Sequence, residues 1–136
     1  MLVSIRERCD AIESCYEFML AYAGQGVSGE PGSSNADQAR TMLQGSAQAL
    51  DGLADAFRQA VADLGVEHAE RYHAFIDVLD RDALASLAAV RLVLVQPTIS
   101  SQLVDNLNAS IHVRAVLTDL FLIDELLAPR AQRQPG

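Results

Sequence analysis

The sequence predicts an all-α protein, an antiparallel up-down-up-down four-helix bundle that pairs as a dimer, and three observations predict it. Apolar residues recur three and four positions apart along most of the chain, the period of one helix face rather than the alternation of a strand. Half the residues are hydrophobic, yet only 5% are aromatic and none is Trp, so the apolar mass is mostly Ala, Leu and Val. Ala and Leu favour helix because neither is β-branched and both lose little side-chain freedom there. Clusters or single residues of Gly, Ser and Pro then divide the periodic runs into four segments. A chain of 136 residues is expected to form one domain, here 1–128, able to bury roughly two thirds of its unfolded surface.

The first helix is expected over 2–23. Leu2, Ile5, Cys9, Ile12, Tyr16, Met19 and Ala23 make a seam of the coiled-coil kind. Beside it, Cys15, Phe18 and Tyr22 form a second stripe, so this helix should touch more than one neighbour. Gly24 and Gly26 can take the left-handed conformation that ends helices. The stretch 24–35, GQGVSGEPGSSN, then reads as a flexible loop, long for a helix connection. It lacks the Gly-Lys-Ser/Thr ending and the preceding strand of a phosphate-binding loop.

Asn35 followed by Gln38 resembles a capping box, which places the second helix over 36–64. Ala39, Leu43, Ala47, Leu50, Ala54, Phe57, Val61 and Leu64 are its apolar face. Gly45 and Gly52 fall inside, each costing ~1 kcal/mol relative to Ala. Gly65 breaks the run, and a third pattern over 66–96 carries Ala69, Tyr72, Ile76, Leu79, Ala83, Leu87, Val90 and Leu94. A new helix at Asp80 is an alternative, but the period runs through that point unbroken. A strand over Arg91–Val95 is another, with nothing to pair with.

Within the third helix, Ala83 to Val95 is the most apolar stretch of the chain, and Arg91 is its sole charge. It is too short to span a bilayer, which needs about 20 apolar residues. Pro97 ends this helix, and Thr98 or Ser100 can cap the fourth, expected over 99–127 with Leu103, Leu107, Ile111, Leu117, Leu120, Phe121 and Leu127 on its apolar side. Residues 129–136 lack a hydrophobic pattern and are expected to form a disordered tail.

Charge narrows the function. The net charge is -8, all ten basic residues are Arg, and the acids are spread over all four segments. No basic stripe is present to neutralise phosphates, which argues against nucleic acid and anionic membrane surfaces as partners. Cys9 and Cys15 lie six residues apart, neither a redox pair nor a zinc half-site, and no secretory leader pattern opens the chain. Two reduced cysteines in a cytoplasmic protein are expected.

Few residues are placed to carry chemistry. Glu70 and His73 make a Glu-x-x-His step, which puts carboxylate and imidazole on one helix face as in carboxylate-bridged dimetal bundles. Those proteins use the step twice, and this chain has it once. A mononuclear iron, manganese or zinc site from Glu13 or Glu17 with Glu70, His73 and His112 is the alternative to having no cofactor at all. His68 is five residues from His73 and off its face. Neither cysteine looks activated, since Cys9 lies on the apolar seam and Cys15 stands between Glu13 and Glu17. Serines lie mostly in the loop and at helix starts, without a nucleophile elbow. Tyr16, Tyr22 and Tyr72 have the spacing of core residues more than of a cofactor clamp.

What is left over is apolar surface. The stretches Ala83 to Val95 and Ala115 to Leu127 are apolar on more than the one stripe a bundle buries. The expected interaction surface is Leu84, Leu87, Arg91, Leu92, Val95, Leu120, Phe121 and Ile123. The expected function is a non-enzymatic helical accessory, adaptor or chaperone, a homodimer able to hold a larger protein partner, with a metal- or cofactor-binding bundle of redox or storage role as the alternative.

Overall fold

A computed structural model describes the backbone of residues 2–133 and the side chains of residues 4–127. Among the described residues it contains six α-helices and no strand: α1 (Leu2–Ala23), α2 (Ser34–Leu50), α3 (Leu53–Leu64), α4 (Ala69–Leu94), α5 (Ser101–Asn108) and α6 (Ile111–Arg133). The all-α class expected from the periodicity is therefore observed. Two of the four expected helices are each broken in two, however: 36–64 becomes α2 and α3, and 99–127 becomes α5 and α6.

The first break lies at Asp51–Gly52. Asp51 is extended and Gly52 is left-handed, at φ 79°, so the chain turns where a continuous helix was expected. The guanidinium of Arg8 on α1 stabilises the turn by donating to the carbonyls of Ala49 at 3.0 Å and Asp51 at 2.6 Å. Those carbonyls are among the ones a helix end leaves without intrahelical donors, so Arg8 rewards stopping α2 at Leu50. The second break lies at Ala109–Ser110. Asn108 and Ser110, poor helix-interior residues, flank it, and the Ser110 carbonyl accepts the first bond of α6 from Arg114 N–H at 3.3 Å. The break lets α5 lie chiefly against α1 while α6 lies chiefly against α4.

Elsewhere the signals act nearly as read. Gly65, left-handed at φ 60°, ends α3. α4 runs unbroken through Asp80, starting at Ala69 because residues 67 and 68 form a turn in which His68 is also left-handed, at φ 59°. Ser100, of the two candidates, caps α5 by accepting from Leu103 N–H at 3.1 Å. The cap of α2 is Ser33 rather than Asn35, accepting from Ala36 N–H at 3.3 Å. α6 continues through Pro129 to Arg133, where a tail from 129 was expected, although a proline lacks the N–H of an ordinary helix residue. Residues 134–136 of that expected tail lie outside the described residues.

α1 packs on α2, α3, α5 and α6, as α4 also does from the other side of the core. Both stripes of α1 are buried: Ile5, Cys9, Ile12 and Met19 on one, Cys15 and Tyr22 on the other. They meet Leu43, Leu53 and Phe57 from α2 and α3, Ile76, Leu79 and Leu87 from α4, and Val104, Leu120 and Ile123 from α5 and α6 in one continuous core.

The segment 24–33 is not a free linker. Ile99 N–H donates to Gly29 O at 3.2 Å and Ser101 N–H to Val27 O at 3.0 Å, so the two pieces of chain run side by side. The Ser101 hydroxyl adds two bonds, accepting from Val27 N–H at 3.0 Å and donating to Tyr22 O at 2.6 Å. The buried Tyr22 hydroxyl donates to Ile99 O. Gly29 is left-handed at φ 74°, and a Cβ there would lie 1.9 Å from the Ile99 carbonyl oxygen. A second arginine completes the arrangement: Arg40 of α2 donates to Leu94 O at 2.6 Å and Gln96 O at 3.0 Å, capping the end of α4.

Candidate functional surface

Helix α4 buries Ile76, Leu79, Ala83, Leu87, Val90 and Val93, which share one side of the helix. Leu84, Ala88, Leu92 and Val95 follow at spacings of four, four and three on another side, and all are exposed. Leu84 is 58% exposed, Leu92 65% and Val95 75%, an extent unusual for three large aliphatic side chains on one helix face. Over 11 residues this row is roughly 16 Å long. Arg91 borders it, 3.6 Å from Asp51, in an ion pair open to solvent on both sides. So placed, it adds little stability.

Helix α6 lies antiparallel on α4. Tyr72 and Phe75 line a shallow groove with Leu122 and Leu126, while Ser86 and Val90 lie near Val113 and Leu117. The groove, about 180 Å³ and almost wholly apolar, is bordered by Arg71. Phe121, Leu122 and Leu126 are exposed, as is Ile111 at the start of α6.

Of the eight residues expected to form the interaction surface, Leu84, Arg91, Leu92, Val95 and Phe121 are thus at the surface. Leu87, Leu120 and Ile123 are not: they are buried in the core, since α4 and α6 turn these positions toward α1 and toward each other. Leu20, Ile111, Leu122 and Leu126 are exposed as well, outside the expected set. A half-period error explains this: in a stretch apolar on most of its circumference, the sequence does not say which apolar position faces inward.

Asp82 of α4 and Asp119 of α6 meet across the contact between these two helices. Both are partly buried, and Asp119 Oδ2 is fully enclosed without a hydrogen-bond partner. Burial first, and then the neighbouring Asp82 carboxyl, push the Asp119 carboxyl up from 3.8 to about 7. Two ionised carboxylates can only repel, whereas one shared proton lets the pair hydrogen-bond.

The candidate metal ligands do not converge. Glu17, Glu70 and His112 are exposed, Glu13 and His73 are half-buried, and no group of three or more His, Cys, Asp or Glu among the described residues could hold a metal ion. Both cysteines are buried thiols held in their protonated form. Burial, with Asp124, Glu13 and Asp10 nearby, pushes Cys9 up to about 12, against a smaller opposing effect of Arg6. Burial pushes Cys15 up to about 11, opposed by a hydrogen bond with Ser46, so the expected influence of Glu13 and Glu17 is not the cause.

Tyr16, Ser46 and Ser86 line a small cavity of about 20 Å³ inside the core, with Ile12, Met19 and Leu117. That is the space of one water rather than of a cofactor. Two open clefts flank the strapped segment, about 390 Å³ beside Ser100 and Asp105 and about 380 Å³ beside Glu30 and Ser33. No described helix is long and apolar enough to cross a membrane. Compared with known proteins, the chain matches no family model, no curated protein and no solved structure.

Proposed function

We propose that this chain is a non-enzymatic helical interaction module in the cytoplasm, which pairs with a second copy of itself through the outer face of α4 and can present α6 to a larger protein partner. In this reading α2 with α3, and α5 with α6, act as two bent rods beside α1 and α4, an up-down-up-down bundle of four. The observation that carries it is the exposed row Leu84, Ala88, Leu92 and Val95. Leaving three large aliphatic side chains in water on one face forgoes roughly 1.5–3 kcal/mol for each, which a partner surface recovers. A two-fold axis across one helix face is the commonest way to cover such a row, because the same residues meet themselves.

Light scattering coupled to gel filtration tests the proposal. The wild-type chain is expected at twice its monomer mass. Leu92→Glu is expected at the monomer mass with unchanged helical circular dichroism, because the substituted position is already exposed. A wild-type monomer, or a Leu92→Glu oligomer of unchanged mass, would sink the pairing.

A further inference from the structure

The Asp82–Asp119 pair is unlike the other acids of this protein. Asp55, Asp77 and Asp80 share the guanidinium of Arg58, at 2.8, 2.9 and 3.4 Å, and Asp51 has Arg91. The acids acting on Cys9, namely Asp10 and Glu13 of α1 and Asp124 of α6, have Arg6 near them. Asp82 and Asp119 instead face each other between α4 and α6. No arginine, lysine or histidine is among the groups acting on Asp119; from the elements packed against α6, the charge it faces is Asp82 of α4. Its enclosed Oδ2 has no N–H or hydroxyl donor.

A buried carboxylate oxygen without a donor is costly, and a second carboxylate beside it adds repulsion. One proton removes both penalties. It neutralises one acid and makes that acid a donor to the other, forming an O–H···O⁻ hydrogen bond that ties α4 to α6 at mid-height. When the proton leaves for solvent, two negative charges remain in a partly buried contact.

We propose that Asp82 and Asp119 share one proton across the α4–α6 contact, and that its loss on alkalinisation loosens this contact, making the pair a pH-sensitive latch. The latch does not depend on what α4 or α6 binds. Its sign follows from linkage. The folded chain holds this proton more tightly than the unfolded chain does, so folding is favoured most where the acid is protonated. The contribution falls as the pH rises from the ordinary aspartate range, 3.8, to about 7, and is gone above it. Most carboxylates of folded proteins act the other way, gaining stability over the same interval.

The test compares the wild-type chain with Asp119→Asn and Asp82→Asn. An asparagine keeps the shape, carries no charge and can donate to the remaining carboxylate, so each variant imitates the protonated latch at every pH. Side-chain carboxyl carbon shifts, read by nuclear magnetic resonance from pH 3 to 9, are expected to show Asp119 titrating near neutrality in the wild type. The thermal midpoint of the wild type, measured relative to Asp119→Asn, is expected to fall between about pH 4 and pH 7. Amide exchange in the central turns of α4 and α6, corrected for its intrinsic pH dependence, is expected to quicken over that range in the wild type alone. If Asp119 titrates below pH 5, or if wild type and both variants have parallel midpoint-against-pH curves, the latch does not exist. Should one variant fail to fold, the other and the wild-type titration still decide the matter.

Discussion

Gly29 shows how much one residue without a side chain can determine. The chain there is left-handed and its α-carbon lies against the Ile99 carbonyl, where a Cβ would approach to 1.9 Å. Gly26 is also left-handed, at φ 67°, but has open space around it. Gly29→Ala therefore meets both the conformational cost and a backbone collision, and is expected to destabilise by at least ~2 kcal/mol. Gly26→Ala meets the conformational cost alone, about 1 kcal/mol. Urea unfolding of the two variants checks this, and equal losses would show that the Val27–Gly29 strap contributes nothing. At the same scale, the high thiol values of Cys9 and Cys15 predict slow alkylation of the folded protein at pH 8, with rapid reaction only after denaturation.

At the scale of elements, two arginines mark where helices stop. Arg8 gathers the last carbonyls of α2, and Arg40 gathers those at the end of α4. Each acts from a neighbouring helix, so capping and packing are the same event. Arg8→Ala is expected to cost about 1–2 kcal/mol, since hydrogen bonds from a charged donor are lost at a partly exposed site. Arg8→Lys should restore little of it, because an ammonium on a flexible stem does not reproduce the fork that reaches two carbonyls. Faster amide exchange confined to the last turn of α2 and the first of α3 would locate the effect. Uniform acceleration along the chain would mean that Arg8 supports the whole fold rather than this junction.

For the whole molecule, the decisive contrast is between two leucines five residues apart on α4. Leu87 is 3% exposed and Leu92 is 65% exposed. A charge at the first position enters the core without a partner, so Leu87→Glu is expected to abolish cooperative unfolding. Leu92→Glu should leave the helical fold intact and change only association. A folded Leu87→Glu protein with the wild-type melting curve would mean that the core is not where these positions place it.

Local signals in the sequence sufficed for helix type, most helix ends and the face of α1, because periodicity, Gly65, Pro97 and Ser100 act within a few residues of themselves. They also sufficed to place Cys9 on a buried seam and to mark α4 as strongly apolar, whereas the burial of Cys15 was not legible from its neighbours. Tertiary structure decided the rest. Gly52 became a break rather than a tolerated interior glycine because Arg8, 43 residues from Asp51, stabilises the turn. The glycine-rich segment became a strap rather than a linker because Ile99 and Ser101, 70 or more residues away, bond to it. Leu87, Leu120 and Ile123 moved from the surface to the core, and Asp82 met Asp119, for the same reason. A helix apolar on several sides has no inside until a neighbour chooses one, and an acid has no partner until two helices set their register.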